Sequence, residues 1–276
     1  GISQYSPISD WDQRRVEEGW NPLYKSGFYE RQIRGLLGYM GRASYNFNDK
    51  YYFDATVRRD GSSMFAPGYK WGTFPSFAAA WRISKEGFMA GLGWINDLKL
   101  RGGWGKVGNQ ETRPYSYLSQ VNFNPKASFG VGTRIGDGIL YDAAALGDFP
   151  VTDLTWETVN TSNFGFDATL LNSSLTLTAE YYYRFTDGIL QTFYLNKVVG
   201  ALSDPKTNLA QVKNTGFEMQ AGYNRKFGKL GFNATINLTT VRNEVLKVAY
   251  GKPVTSGDYR IEEGFSMNYI YGYKTA

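Results

Sequence analysis

The stretch Ile33-Arg34-Gly35-Leu36-Leu37-Gly38-Tyr39-Met40-Gly41-Arg42-Ala43-Ser44-Tyr45-Asn46-Phe47 decides the fold. Its odd positions are apolar, aromatic or glycine, whereas its even positions include arginine, serine and asparagine. Alternation with a period of two places apolar side chains on one face of a β-strand and polar side chains on the other. Strands of soluble proteins usually run about 5–6 residues, whereas a strand that crosses a bilayer needs roughly 9–11. The stretch therefore predicts a strand of a transmembrane β-barrel.

The same alternation recurs along the chain and predicts an all-β protein, a transmembrane antiparallel β-barrel segment of about nine strands. Short turns near residues 48, 172 and 227 alternate with longer loops at 61–69, 106–153, 191–207 and 247–257. Outer-membrane barrels pair short periplasmic turns with long external loops in this way. The stretch 85–96 is expected to form one or two helical turns. The predicted strands are 31–47, 51–60, 70–84, one from about 97, 155–170, one from 175, 208–224, one from 230 and a ninth from near 258.

Each predicted strand has an apolar side, which we expect to face lipid, and a charged side, which we expect to face the lumen. The predicted lipid-facing residues are Leu37, Tyr39, Phe53, Val57, Phe77, Leu177, Tyr181, Phe217 and Ile236. The predicted lumen-facing residues are Asp54, Arg58, Arg82, Glu157, Asp167, Glu180, Arg184 and Glu218. Tryptophan is favoured at the level of lipid headgroups, so an aromatic girdle is expected from Trp71, Trp81, Trp104 and Trp156.

Composition excludes several other classes of protein. The chain has no cysteine and no histidine, which rules out disulfides and thiolate metal sites and removes the commonest general base. A net charge of +5 without a polybasic block gives no support for nucleic-acid binding. No apolar run approaches the ~18 residues of a transmembrane helix. We expect no cofactor and no enzymatic activity.

Three motifs suggest chemistry but fail on context. Gly103-x-Gly105-x-x-Gly108 matches a dinucleotide fingerprint, yet no apolar-periodic helix follows it. Glycines at a barrel rim explain it better. The carboxylates of Glu157, Asp167, Glu180 and Glu218 are spread over three predicted strands beside arginines, which favours a structural ion network over a glycosidase pair. The glycosylation sequons at Asn160, Asn172, Asn233 and Asn237 fall within predicted membrane strands or a tight turn, where glycans do not fit.

The long loops are the expected place for recognition. If the turn at residues 48–50 is periplasmic, strand parity places 106–153 and 191–207 outside the cell. Loops held by a rigid scaffold commonly carry binding residues, and aromatic side chains stack on ligands. The candidate contacts with cargo or with a covering partner are Tyr115, Tyr117, Phe123 and Tyr141.

Six motifs, in matching order over about residues 31–275, resemble the barrel of SusC/RagA-type TonB-dependent outer-membrane transporters. The motifs are Arg58–Phe65 (RRDGSSMF), Lys70–Ser76 (KWGTFPS), Ala79–Ser84 (AAWRIS), Leu98–Arg101 followed by Gly108–Gln110, Leu154–Thr158 (LTWET) and Asn214–Glu218 (NTGFE). The resemblance implies TonB-dependent active import of bulky nutrients, glycans or oligopeptides, across the outer membrane. It also implies a SusD-like surface lipoprotein that lids the barrel as a partner, and dependence on the TonB complex.

The resemblance further implies a barrel of 22 strands with a plugged lumen. About nine strands do not close such a barrel, and the chain begins at Gly1 without an initiator methionine and ends within an alternating stretch. We therefore expect residues 1–276 to be part of the barrel, with the plug domain, the TonB-contacting segment and the terminal strands outside this chain. The expected lumen-facing charges then pair with each other or with the plug.

A second interpretation stays open at this point. A soluble or surface-anchored β-rich domain that binds carbohydrate or protein, built as a sandwich, also has alternating strands. Its strands are rarely as long as these. Dependence on detergent separates the two interpretations, because a sandwich buries its apolar side chains and stays soluble alone.

Overall fold

A computed structural model gives the fold of the protein. It describes residues 34–112, 116–118, 121–122, 126–129, 139–142, 145–146, 149–193, 196, 198 and 204–272. The strands in chain order are β1 Leu36–Phe47, β2 Tyr51–Ser62, β3 Trp71–Arg82, β4 Ile95–Asn109, β5 Val121–Asn122, β6 Lys126–Phe129, β7 Ile139–Asp142, β8 Ala145–Leu146, β9 Glu157–Leu170, β10 Leu175–Thr192, β11 Lys206–Phe227, β12 Leu230–Lys247, β13 Val254–Ser256, β14 Tyr259–Ile261 and β15 Tyr269–Ile270.

Eight long strands form one antiparallel sheet in the order β1-β2-β3-β4-β9-β10-β11-β12. They contain 12 to 22 residues, enough to cross a bilayer while tilted. The prediction of long antiparallel strands is confirmed. The ninth predicted strand, near Asp258, is the three-residue β14, which lies in a separate small sheet with β13 and β15.

The tight turns lie where the sequence predicted them. Asn48 and Asp49 have positive φ in the β1–β2 turn, and so does Gly228 in the β11–β12 turn. Asparagine, aspartate and glycine tolerate this conformation best. The β3–β4 connection contains the 3-10 turns Ile83–Lys85 and Gly87–Met89, which confirms the helical turns expected there. We call the end of the strands where these turns lie the short-turn end, and the other end of the strands the long-loop end.

Strand register separates two faces of the sheet. Phe53 lies opposite Tyr45 and Ala79, and Tyr181 lies opposite Phe164 and Phe217. The face that these residues share is called the apolar face, and the other is called the charged face. The apolar face carries all nine residues of the predicted lipid-facing set, and in eight of them the side chain is exposed, from 38% for Phe217 to 65% for Ile236. Leu177 is half-buried. An exposed apolar band this broad fits contact with lipid.

The described sheet has two edges, β1 and β12. In hydrocarbon an open edge leaves backbone N–H and C=O groups unpaired, at several kcal/mol each. Close to the long-loop end, Val245 on the open side of β12 already exchanges hydrogen bonds of 2.8 Å with Gly264 and Phe265. Further strands are needed along the rest of both edges for the sheet to sit in a membrane as part of a barrel. None of the helices in the described ranges is long and apolar enough to cross a membrane.

The buried core is small and lies at the long-loop end. One cluster comprises Phe65, Phe74, Val151, Leu154 and Trp156, and the second comprises Val212, Val245 and Val248. The prediction that Trp156 belongs to an exposed girdle is wrong, because its side chain is only 6% exposed. Trp156 has an even residue number, as the residues of β9 on the apolar face do, but β9 begins one residue later, at Glu157. The other three tryptophans of the predicted girdle lie exposed on the apolar face.

Candidate functional site

The charged face is built around one arginine that reaches two carboxylates. Arg101 of β4 contacts Asp167 of β9 at 3.2 Å between Nε and Oδ2, and its Nη1 also pairs with Glu180 of β10. Gly165 lies between Arg101 and Glu180 in the strand register. Because glycine has no side chain, it leaves the path across β9 open to the guanidinium. The result is an ion network spanning three adjacent strands.

Neutral side chains complete the hydrogen bonding of this network. Thr178 donates its hydroxyl hydrogen to Asp167 at 3.1 Å, and the Asn163 amide donates to Glu180 at 3.3 Å. Charge-assisted hydrogen bonds are the stronger ones, and satisfied networks hold their members in one arrangement. The centre of the charged face is therefore a rigid polar surface rather than a set of free charges.

Two further aspartates repeat one local pattern, an arginine and a serine on the same carboxylate. Arg82 Nε lies 2.7 Å from Asp97 Oδ1, and the Ser84 hydroxyl donates to the same oxygen at 2.6 Å. At β1, Arg42 Nη2 lies 3.0 Å from Asp54 Oδ1, and Ser44 also donates to it. These pairs hold neighbouring elements together along the charged face.

All eight residues of the predicted lumen-facing set lie on the charged face, but they differ in their partners. Asp54, Arg58, Arg82, Asp167 and Glu180 have ion-pair partners. Glu157 has only a 3.5 Å hydrogen bond from Asn109. Within the described ranges, Arg184 and Glu218 are exposed and form no ion pair. That this face lines a lumen and contacts a plug stays a prediction.

The predicted lumen-facing set left out four members of these pairs: Arg42, Asp60, Asp97 and Arg101. All four have the strand parity of the polar side, so the alternation itself reaches them. For Asp97 this holds because the register shift of β4 lies directly before it, between Ile95 and Asp97, and not between it and Arg101. Three members of the predicted cargo-contacting set fall outside what the structure describes: Tyr115 and Phe123 entirely, and the side chain of Tyr141. The fourth, Tyr117, lies half-buried in a turn.

The motifs RRDGSSMF, KWGTFPS and LTWET meet in the buried cluster at the long-loop end. The Trp156 ring lies 5.3 Å from the rings of Phe65 and of Phe74, between centroids. Its indole N–H donates to the backbone carbonyl of Lys70 at 3.1 Å. Asn208 of β11 also holds the LTWET segment, exchanging two 3.0 Å hydrogen bonds with the backbone of Thr155. The motifs therefore fix where the long loops leave the sheet.

The glycines of Gly103-x-Gly105-x-x-Gly108 lie within β4, and a 3-10 or α-helix does not follow directly in the described residues. A β-carbon at Gly103 would lie 2.9 Å from the Asn163 side-chain oxygen. The glycine thus makes room for the ion network rather than for a phosphate. No group of histidine, cysteine, aspartate or glutamate side chains within the described part of the chain is arranged to hold a metal ion.

Glu86 joins the short-turn end of the sheet from outside the strands. Its carboxylate accepts hydrogen bonds from the Tyr51 hydroxyl at 2.8 Å, the Lys50 ammonium at 3.0 Å and the Trp81 indole at 3.1 Å. These hydrogen bonds favour the charged form of the acid and lower the pKa of Glu86 from 4.5 to about 2. The bond from Tyr51 has the largest effect, followed by those from Lys50 and Trp81. One carboxylate therefore ties the β1–β2 turn to the β3–β4 connection.

We expect this tie to weaken in acid. A carboxyl group whose pKa is lower in the folded state stabilises the fold above its unfolded pKa, near 4.5, and loses that contribution as the pH falls towards 2. Glu86→Gln should therefore lower the melting temperature of the detergent-solubilised protein at pH 7, and this difference from wild type should shrink between pH 4.5 and pH 2. Tyr51→Phe removes the strongest donor, so it should shift that loss to higher pH. A Glu86→Gln difference that is independent of pH would contradict this account.

Comparison with known proteins places the chain among outer-membrane receptors. The family model described as TonB dependent receptor-like, beta-barrel matches residues 3–270. The chain is 32% identical to TonB-dependent receptor P39 of Formosa agariphila over 87% of this chain and 22% of that protein. It is also 32% identical to TonB-dependent receptor SusC of Bacteroides thetaiotaomicron over 83% of this chain and 22% of that protein. The chain thus spans about a fifth of the length of these curated relatives.

A solved structure shows the same fold. The structure of the RagAB peptide transporter superposes with a TM-score of 0.71 at 24% identity, covering 84% of this chain and 25% of that one. At this level of identity the similarity concerns the fold alone. It agrees with the eight-stranded antiparallel sheet and its two faces.

Proposed function

This chain belongs to the TonB-dependent receptor-like β-barrel family, and on that basis we propose that it forms part of the barrel wall of an active importer of bulky nutrients. The observation that carries the proposal is the two-faced sheet of long strands. Its apolar face suits lipid, while its ion-paired face suits a polar, plugged lumen. The protein is located in the outer membrane as a β-barrel.

The cargo that we propose is a glycan or an oligopeptide. SusC is among the relatives, and the RagAB protein, which shares the fold, is named a peptide transporter. We propose that a SusD-like surface lipoprotein covers the external opening and binds cargo together with the long loops. We propose that the TonB complex supplies the energy for import and that it contacts segments of the protein outside this sheet.

The charged face has the properties expected of a wall that contacts a plug domain. Its centre is rigid, because Arg101 pairs with two carboxylates there. Arg184 and Glu218 are exposed and have no ion-pair partner among the described residues, so they are available to groups on a plug. Water solvates these charges whenever they have no partner, so an ion pair between one of them and a plug is weak and reversible. Reversible contacts allow a plug to move during transport.

We propose no catalytic role for this part of the protein. The carboxylates of Asp167 and Glu180 share one arginine, and each also accepts a hydrogen bond from a neutral side chain. A glycosidase needs one carboxyl group that is free to donate its proton to the substrate. The family consists of receptors and transporters, which agrees with a structural role for these residues.

The experiment that tests this function removes residues 115–145 from the full-length protein. In the chain these residues follow β4, which ends at the long-loop end, and precede β9. We expect uptake of the cargo, or docking of the lipoprotein, to fall strongly, because a rigid barrel holds the bases of recognition loops while the loops themselves make the contacts. Barrel assembly should persist, since the eight-stranded sheet does not depend on them. Uptake by whole cells and heat-dependent mobility of the barrel in SDS gels measure the two effects.

The orientation is tested separately with a protease site placed in 115–145 and a matched site in the Asn48–Lys50 turn. On intact cells we expect cleavage in the first and protection of the second. Cleavage of 115–145 only after the outer membrane is breached would invert the topology. Unchanged uptake and lipoprotein docking after the deletion would remove the recognition role from these residues.

A further inference from the structure

The apolar face carries charge only near the ends of its strands. Within the sheet, the long-loop end of this face holds five cationic side chains. Four of them, Arg59 of β2, Lys106 of β4, Lys213 of β11 and Arg242 of β12, form what we call the basic belt, and the fifth, Lys247, is paired with Gln211 beyond a register shift. Polar residues mark the boundary between the belt and the apolar band. These boundary residues are Thr73, Ser162, Thr215 and Thr240. The belt therefore lies where the apolar band gives way to a polar surface.

The strand register places two cations of the belt in one row across the sheet. Lys106 is paired with Asn160, which is paired with Phe185, which is paired with Lys213. Two of the cations thus share one cross-strand row, three strand spacings or about 14 Å apart. Lys213 is paired with Glu244 of β12 and Arg242 with Thr215, so Arg242 is a diagonal neighbour of Lys213. A row of this kind presents several cations to one layer of the surroundings.

The belt has a surplus of positive charge. The acids on the same face at this end are Glu244, which pairs with Lys213 at 2.9 Å, and Asp187, which accepts a hydrogen bond from Gln211 at 2.9 Å. Arg59 lies over the Trp71 ring at 5.5 Å. No described residue forms an ion pair with Arg59, Lys106 or Arg242. Four cations against two acids leave two positive charges that the sheet itself does not neutralise.

The surroundings must supply the missing anions. A cation that faces hydrocarbon is costly, whereas a cation at headgroup level is stabilised by anionic lipid by about 1 kcal/mol. Arginine in addition forms bidentate hydrogen bonds with phosphate. The exposed guanidinium groups of Arg59 and Arg242 suit this role better than a role in the apolar band.

We propose that the basic belt binds the phosphate groups of lipopolysaccharide in the external leaflet of the outer membrane. The proposal rests on the proposed orientation, in which the long-loop end faces the outside of the cell. Lipopolysaccharide is the lipid of that leaflet, and its lipid A carries phosphate at the boundary between sugar and hydrocarbon. The belt lies at the matching boundary of the protein. Bound glycolipid would hold the barrel at a fixed depth and keep the long loops clear of the sugar layer.

The test uses the full-length protein extracted from outer membranes in mild detergent, with native mass spectrometry to count bound lipopolysaccharide and phospholipid. The variant Arg59→Gln/Lys106→Gln/Lys213→Gln/Arg242→Gln should retain far less lipopolysaccharide, with a loss of affinity of about five-fold for each cation. Phospholipid retention should not change. The matched control is Arg225→Gln/Lys229→Gln, which removes cations from the short-turn end and should retain lipopolysaccharide like wild type.

A competition on the wild-type protein keeps the test independent of variant folding. Intact lipid A should displace bound lipopolysaccharide, while lipid A stripped of its phosphates should displace it much more weakly. Equal displacement by both lipids overturns the proposal. Unchanged retention in the folded fourfold variant also overturns it. Loss of lipopolysaccharide in the Arg225→Gln/Lys229→Gln control alone would instead overturn the orientation, a result that protease labelling of 115–145 reports independently.

Discussion

Replacing Trp156 with alanine is expected to destabilise the full-length barrel by about 3–5 kcal/mol, the usual cost of removing a buried tryptophan. The Trp156 side chain is 6% exposed and contacts the rings of Phe65 and Phe74. Its loss leaves a cavity, because the rings of Phe65 and Phe74 belong to two different chain segments that cannot both move inward. It also leaves the Lys70 carbonyl without the indole N–H that donates to it.

Unfolding by urea in lipid vesicles, followed by heat-dependent mobility in SDS gels, measures this loss without relying on tryptophan fluorescence. Trp156→Phe is the matched variant. It keeps an aromatic ring in the cluster but removes the donor, so its cost should be only about 0.5–1.5 kcal/mol, the net contribution of one hydrogen bond, because the Ser62 backbone N–H still donates to the Lys70 carbonyl at 3.0 Å. If the alanine variant unfolds at the same urea concentration as wild type, the cluster does not stabilise the long-loop end.

Replacing Phe217 with arginine is the second large effect that we expect. Phe217 lies on the apolar face of β11, opposite Tyr181 in the strand register, and its side chain is exposed. An arginine at mid-bilayer on the lipid-facing side of a barrel costs about 2–4 kcal/mol, because hydrocarbon solvates its charge poorly. The same urea unfolding in vesicles measures it.

Gln220→Arg provides the control on the same strand. Gln220 has the opposite parity, lies exposed on the charged face and is paired with Thr178 and Asn237. An arginine there faces the predicted lumen beside Glu218, so its effect should stay within about 0.5 kcal/mol. Equal destabilisation by the two variants would show that the apolar face does not contact lipid, and a larger effect of Gln220→Arg would reverse the two faces.

The two substitutions differ in what the sequence says about them. The parity of Phe217 follows from alternation alone, since a strand of 22 residues keeps a period of two across the bilayer. For Trp156 the same alternation predicts an exposed position on the apolar face, which is wrong. Alternation assigns faces only inside a strand, and β9 begins at Glu157. Local pattern cannot show where a strand starts when the preceding loop packs as tightly as the strand.

The ion network shows the same division. Alternation identifies Asp167 and Glu180 as members of one face, and Arg101 has the matching parity. It does not show that these two carboxylates share that arginine. Their meeting depends on the register of three strands and on Gly165, which leaves the space across β9 open. Register brings together residues far apart in the chain, and Arg101 and Glu180 are 79 positions apart.

By itself, then, the sequence determined the all-β class, the long antiparallel strands, the positions of the tight turns and the assignment of side chains to two faces. These properties depend on residue type and on a period of two, which are local and repeat along each strand. Only the tertiary structure decided that three distant motifs form one buried cluster around Trp156, that Arg101 joins two carboxylates, and that four cations form a belt at one end of the apolar face. Those properties depend on strand order and register, which arise when residues far apart in the chain pack and pair.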